Sequence, residues 1–221
     1  MPQETKRSSR SNTGLPPIPE SPKPQAFSDY MSGFLKRIGA RDVVEIGPDV
    51  QLRIATNLSP YCYRYSCINF PEDTKRMQGW YGLRKNMGQL ENVELIGGNA
   101  IHLSKSVPHA DVIILHNVLL DSTGNDTELL WKYNREEVEC SDEQWNELVG
   151  RFNQAKNEGY KEFLKVANPG YIVVFGRPDN NNEFMTFLKD TLKIDPKTID
   201  KMELFYDDSE DKWELFVINN T

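Results

Sequence analysis

The sequence predicts an α/β protein: a three-layer sandwich around a mostly parallel, doubly wound sheet that finishes in an antiparallel hairpin. Three observations predict it. From Phe27 onward, short β-branched and aromatic segments alternate with stretches of helical character, the pattern of strands joined by crossover helices. Ile113-Ile114-Leu115 and Ile172-Val173-Val174 are apolar without alternation, as expected of central strands covered on both faces. The last two apolar segments, KMELFYDD and KWELFVINN, flank the polar run DDSEDK and read as a hairpin.

Each element has its own signal. FSDYMSGFLKRIG places Phe27, Met31, Phe34, Leu35 and Ile38 at helical spacing and stops at Gly39. DVVEIG is a short strand. PDVQLRIATNL suits a helix with Pro48 in its first turn. YCYRYSCINF alternates as a strand does, PEDTKRMQGWYGLRKNMGQL is a polar helix in outline, and NVELIGG and ADVIILHNVLL are the third and fourth strands. A short helix is expected around Leu129 to Tyr133. Ser141 with Gln144 forms a capping box. It opens a long helix with Trp145, Leu148, Val149, Phe152, Ala155, Phe163 and Val166 on one side. Asn168-Pro169-Gly170 ends it, YIVVFG is the fifth strand, and NNNEFMTFLKDTLKI is a further helix.

The 221 residues carry a net charge of −7, with 38% hydrophobic and 27% charged residues. Residues 1–25, rich in Ser, Pro, Lys and Arg, cannot bury enough apolar surface to offset ordering entropy and read as a disordered tail. A protein partner that reads its PPIP stretch is one use for it. Residues 26–221 read as one domain. No apolar run approaches the ~20 residues of a membrane span, and MPQETKRSSRSNTG lacks a signal peptide's apolar core, so a cytoplasmic address is expected. The three cysteines, Cys62, Cys67 and Cys140, form no C-x-x-C pair and read as reduced thiols. The acidic balance argues against a nucleic-acid partner and for a small substrate or a protein partner. No Cys, His or carboxylate cluster has zinc-ligand spacing.

Ligands of open α/β sheets bind beyond the carboxyl ends of the strands, which directs attention to Glu45–Gly47, Asn69-Phe70, Gly98-Asn99-Ala100 and His116-Asn117. The segments VVEIGPD, NVELIGGNA, ADVIILHNVLL and FLKVANPGYIVVFG, in this order and spacing, resemble the class I, Rossmann-like S-adenosylmethionine-dependent methyltransferase superfamily over about residues 27–219. The resemblance implies S-adenosylmethionine as cofactor and a small-molecule methyl acceptor. It implies that Glu45 accepts from the methionine ammonium group and that Gly47 and Pro48 form the turn against the cofactor. By the same resemblance Asn69 lies near the ribose, Phe70 packs on the adenine, and Asn99 and Ala100 border the adenine amino group. His116 and Asn117 would lie near the methionine end, with His116 a candidate general base. Residues 121–140, with Trp131, Tyr133 and the acidic Glu136, Glu137 and Glu139, would form a substrate-side lid.

The chain also departs from the family's acidic-x-Gly-x-Gly-x-Gly pattern. Asp49 and Gln51 stand at the second and third glycine positions, and Asn69 and Asn99 where acids are usual. A carboxylate at position 49 would repel a pyrophosphate, so a nicotinamide dinucleotide is a poorer expectation than a sulfonium cofactor. A catalytically silent binding module of the same fold is the alternative these changes suggest. Glu45 as a local hydrogen-bonding group, Gly47 as an ordinary tight turn, Asn69 and Asn99 as turn formers, and Tyr30, Trp80 and Tyr81 as packing residues rather than a pocket wall are the corresponding structural readings.

Overall fold

The computed structural model describes residues 22–116, 120, 125–134, 139–176, 184–191, 193, 198–206 and 209–220. The elements, in chain order, are α1 (Pro22–Ile38), β1 (Asp42–Ile46), α2 (Arg53–Leu58), β2 (Arg64–Asn69), α3 (Pro71–Asn86), β3 (Val93–Gly97), β4 (Val112–His116), α4 (Asp126–Asn134), α5 (Asp142–Val166), β5 (Tyr171–Gly176), β6 (Thr198–Tyr206) and β7 (Ser209–Asn219). A 3-10 turn at Ala100–Lys105 follows β3, and residues 184–191 are helical.

Among the described residues, seven strands form one sheet in the order β3-β2-β1-β4-β5-β7-β6. β1 pairs in parallel with both β2 and β4, so the strand order reverses between β1 and β4. This is the switch point at which such sheets bind ligands. β3 and β5 extend the parallel ladder outward. β7 runs antiparallel to β5 and to β6; it alone is reversed, and β6 returns to the direction of β1–β5. The hairpin ladder continues to Tyr206 opposite Ser209, so residues 209–212, expected in the connecting loop, are strand.

Alternation along the buried strands divides the core in two. Val43, Tyr65, Cys67, Val112, Ile114, Val173 and Phe175 point toward α1, α2 and α3. Val44, Ile46, Ile113, Leu115, Ile172 and Val174 point toward α5 and residues 184–188. α1 buries Phe27, Met31, Phe34 and Leu35, the expected face, with Phe27 stacked on Phe175 at 4.4 Å. It starts at Pro22, inside the stretch expected to be tail. A proline in the first helical turn is tolerated because its missing N–H has no intrahelical acceptor. Residues 1–21 lie outside the described residues.

α5 is opened by the expected box: Gln144 N donates to Ser141 Oγ at 3.2 Å and Ser141 N to Gln144 Oε1 at 2.9 Å. It buries Leu148, Phe152, Ala155, Tyr160, Phe163 and Val166. Trp145, expected on this face, lies in the first turn of α5 and is 37% exposed. At the far end Gly170 is obligatory for space: an added Cβ would meet the Ala110 and Asp111 carbonyl oxygens at 2.9 Å. No helix among the described residues is long and apolar enough to cross a membrane.

Candidate functional site

The register places the candidate residues on one edge of the sheet. Ile46 lies opposite Ile68 and Leu115, and Asn69 opposite Gly97. The chain leaving β1 at Gly47, β2 at Asn69 and β3 at Gly97 therefore emerges side by side, with His116 closing β4 opposite Phe175. Backbone bonds lace these exits together: Gly47 N donates to the Ile68 carbonyl and Gly98 N to the Asn69 carbonyl, both at 2.9 Å. Gly47 adopts φ 66°, a conformation open to glycine at little cost. Asn117 and residues 118, 119, 121–124 and 135–138, Glu136 and Glu137 among them, lie outside the described residues.

Glu45 is the unusual group. It sits one residue before the end of a central strand, is 0% exposed, and faces the α1–α3 side of the sheet. Tyr65 Oη donates to its Oε2 at 2.9 Å, and the Cys67 thiol lies 4.0 Å from the same oxygen. Its Oε1 is buried without a hydrogen-bond partner. Burial, the nearby Asp49 carboxylate and, in the opposite sense, the Tyr65 bond combine to push its pKa up to about 8. Burial likewise holds the Tyr65 phenol and Cys67 thiol well above their ordinary values. The sequence signal for this cluster is parity and register: Glu45 lies opposite Cys67 on neighbouring strands, and Tyr65 shares the face of Cys67 two residues away.

The turn after β1 departs from expectation. A helix was predicted from Pro48, but α2 begins at Arg53. Asp49 is the reason. Its carboxylate accepts from Gln51 N at 2.9 Å, from Arg53 N at 3.1 Å and from the Arg53 guanidinium at 3.3 Å. Leu52 N donates to the Asp49 carbonyl, and Leu52 is left-handed at φ 55°. That conformation costs a non-glycine residue about 1–2 kcal/mol, offset here by complete burial of the Leu52 side chain. From α3, Arg84 donates to the Gln51 carbonyl at 2.6 Å and to Gln89 Oε1 at 3.3 Å. Gln51 Oε1, like Glu45 Oε1, is buried without a donor. Arg53 and Arg84 thus belong to the turn although neither stood out in the sequence; an Asp four residues before an Arg was the available signal for the first.

The two asparagines act as turn formers. Asn69 Oδ1 accepts from Phe70 N at 2.9 Å, and Asn99 Oδ1 from Ile101 N at 3.1 Å, where it caps the 3-10 turn that Ala100 begins. Phe70 precedes α3, whose first residue is Pro71, and is half-buried. Tyr30 and Tyr81 pack against the core, the latter donating to the Val93 carbonyl at 2.7 Å. In the expected lid, α4 is fastened to α5 by Arg151, which donates from Nε and Nη2 to the buried Asp126 carboxylate at 2.9–3.1 Å. The described residues contain no His, Cys, Asp or Glu group arranged to hold a metal, and their cysteines are free thiols.

No protein-family model matches the sequence, and no curated protein is significantly similar to it. Solved structures are. The N-methyltransferase NodS from Bradyrhizobium japonicum WM9, in complex with S-adenosyl-L-homocysteine, superposes with a TM-score of 0.58 at 13% identity, over 91% of this chain and 89% of that one. The methyltransferase domain of bacterial CtHen1 gives 0.57 at 12% identity, over 88% and 98%. Precorrin 8W decarboxylase of Methanobacterium thermoautotrophicum gives 0.53 at 16% identity, over 92% of each chain. The fold of this protein is the Rossmann-like fold of class I methyltransferases.

Proposed function

We propose that this chain binds S-adenosylmethionine beyond the tips of β1–β4 and transfers its methyl group to a small molecule. The observation that carries the reading is Glu45: a fully buried carboxyl behind the Gly47 turn, beside the switch point, with one oxygen lacking any donor. A buried acceptor of this kind costs about 1–3 kcal/mol until it is paired, and an ammonium group supplies both the missing donor and the missing charge. The cofactor fits this end of the turn. It fits less well at its carboxylate, because Asp49 already takes the Gln51 and Arg53 N–H groups.

When bound, the sulfonium supplies an activated methyl for in-line displacement, which asks the protein for orientation more than for functional groups. In this reading Glu45 holds the ammonium, Gly47 and Pro48 shape the turn, and Asn69, Phe70, Asn99 and Ala100 border the adenosine. His116 and Asn117 stand at the methyl acceptor's side, and residues 121–140, of which α4 is bonded to α5 through Asp126 and Arg151, cover it. The net charge of −7 supports a small acceptor over a nucleic acid, and a cytoplasmic setting accompanies it.

Titration calorimetry with S-adenosylmethionine, S-adenosylhomocysteine and NAD tests the proposal. Micromolar binding of the first two is expected; binding of NAD alone would overturn it. Heat from none of the three would favour a second reading, a silent binding module. The observation behind that reading is that Asp49, Asn69 and Asn99 all spend side-chain oxygens on their own loops.

A further inference from the structure

Glu45 is a buried acid that none of the described cations pairs. Its Oε2 accepts from Tyr65 and lies near the Cys67 thiol, and its Oε1 accepts from nothing. The surrounding elements bring little positive charge to it. β2 presents Tyr65 and Cys67, which burial keeps neutral. The turn presents Asp49, a second negative charge, with Arg53 held at the Asp49 carboxylate. On α3, Arg84 bonds to the Gln51 carbonyl and to Gln89. Glu94 of β3 accepts from Ser66, on the other face of the sheet. α1, α2 and Ile114, the β4 residue opposite Glu45, contribute apolar side chains to this core. Ionising Glu45 therefore sets an uncompensated charge in the interior beside Asp49. The empty protein avoids that cost by keeping the carboxyl protonated, in keeping with a pKa pushed up to about 8.

We infer that an ammonium-bearing ligand seated at the Gly47 turn expels the proton that Glu45 carries in the empty protein, so that binding releases a proton and tightens as pH rises. The inference rests on the adenosyl site proposed above and adds its regulation by pH. The ammonium acts on Glu45 through the protein interior, even without touching Oε1. Opposite charges a few ångströms apart there change a group's proton affinity by roughly a hundredfold, enough to carry the Glu45 pKa from about 8 toward about 6. The carboxyl O–H bond breaks, the proton passes to solvent, and the ammonium becomes the carboxylate's counter-charge. Tyr65, bonded to Oε2, favours the ionised form and is the positioning residue for it.

Calorimetry on the full chain with S-adenosylhomocysteine, in phosphate and in Tris at pH 7, counts the protons exchanged, because the two buffers differ in heat of ionisation. Close to one proton released per ligand bound is expected, and affinity should rise roughly tenfold from pH 6 to 7.5. 5′-Methylthioadenosine, which has no amine, should release none and bind equally well across that range. Glu45→Gln should abolish the release with S-adenosylhomocysteine and flatten its profile. Should Glu45→Gln fold poorly, Tyr65→Phe removes the donor that favours the ionised carboxyl and should carry the rise to higher pH; an unmoved rise would place the proton elsewhere and overturn the inference. If S-adenosylhomocysteine binds without proton release and equally well at pH 6 and 7.5, or if methylthioadenosine releases the same proton, the inference fails while the proposed function stands. If neither compound binds at any pH, both fall.

Discussion

The two faces of the sheet are built from the same strands yet hold different kinds of interior. On the α5 face, Val44, Ile46, Ile113, Leu115, Ile172 and Val174 meet Phe163, Val166 and Phe187 with apolar contacts. On the α1–α3 face, equally buried, a carboxyl, a phenol and a thiol are clustered at Glu45, Tyr65 and Cys67, one step from the loops at the strand tips. The first arrangement contributes stability at any pH. The second costs stability whenever Glu45 ionises without a cation, and an interior that carries such a cost beside the switch point is where a ligand has something to supply. One face holds the fold together; the other keeps an unmet electrostatic demand at the candidate site.

The largest effect should come from the apolar face. Phe163 is 0% exposed, and Phe163→Ala should cost about 3–5 kcal/mol through lost burial and the cavity left behind, with the same loss at pH 5 and pH 9 in denaturant titrations. Glu45→Gln should behave differently. The Glu45 pKa lies at about 8 against an ordinary 4.5, so between these values the folded protein holds a proton that the unfolded chain releases. Folding is therefore favoured below 4.5, and that contribution drains away as pH rises to about 8. Gln does not titrate, so the stability of Glu45→Gln relative to the unaltered protein should climb across that window, by an amount on the order of 5 kcal/mol. Thermal melts of both proteins from pH 4.5 to 9 check it. A difference that stays flat would mean that Glu45 is already paired, and the contrast between the two faces would collapse.

How much of this could be read from residues alone follows the same division. Uninterrupted apolar strands, the Ser141–Gln144 box and the Asn168-Pro169-Gly170 stop each act through neighbours in sequence, and the elements they predict are present. Strand–helix alternation predicted a mostly parallel sheet but not its order, because more than one doubly wound order obeys the right-handed crossover; the pairing supplies β3-β2-β1-β4-β5. The turn after β1 was misjudged because its geometry depends on partners no local pattern reveals: Asp49 reaching forward to Arg53, Leu52 held left-handed by its burial, and Arg84 arriving from a helix more than thirty residues away. For Asn69 and Asn99 the sequence left ligation and turn formation open, because an amide oxygen suits both. The structure gives each oxygen to the adjacent backbone. The depth of Glu45 was readable in principle, since a parallel central strand is covered on both sides, but its orphaned oxygen was not.

The smallest effect sharpens the contrast between local and long-range design. Ser141 and Asp49 both accept an N–H group from the first turn of a helix. The Ser141 box is surface-exposed and entirely reciprocal within four residues, so Ser141→Ala should cost about 1 kcal/mol and leave ligand binding untouched. Asp49→Asn removes a charge that also meets Arg53 and raises the Glu45 pKa. Its stability change should be of similar size, because the amide still caps and the Arg53 pair is partly solvated. Its trace should appear in the Glu45 titration instead: the pH at which stability is lost should move down toward the ordinary carboxylate range. Melts of the two variants over the same pH series separate them. A Ser141→Ala profile parallel to that of the unaltered protein, beside an Asp49→Asn profile displaced to lower pH, is the result expected if Asp49 serves the buried carboxyl as well as its own helix. Two parallel profiles would reduce Asp49 to a cap and nothing more.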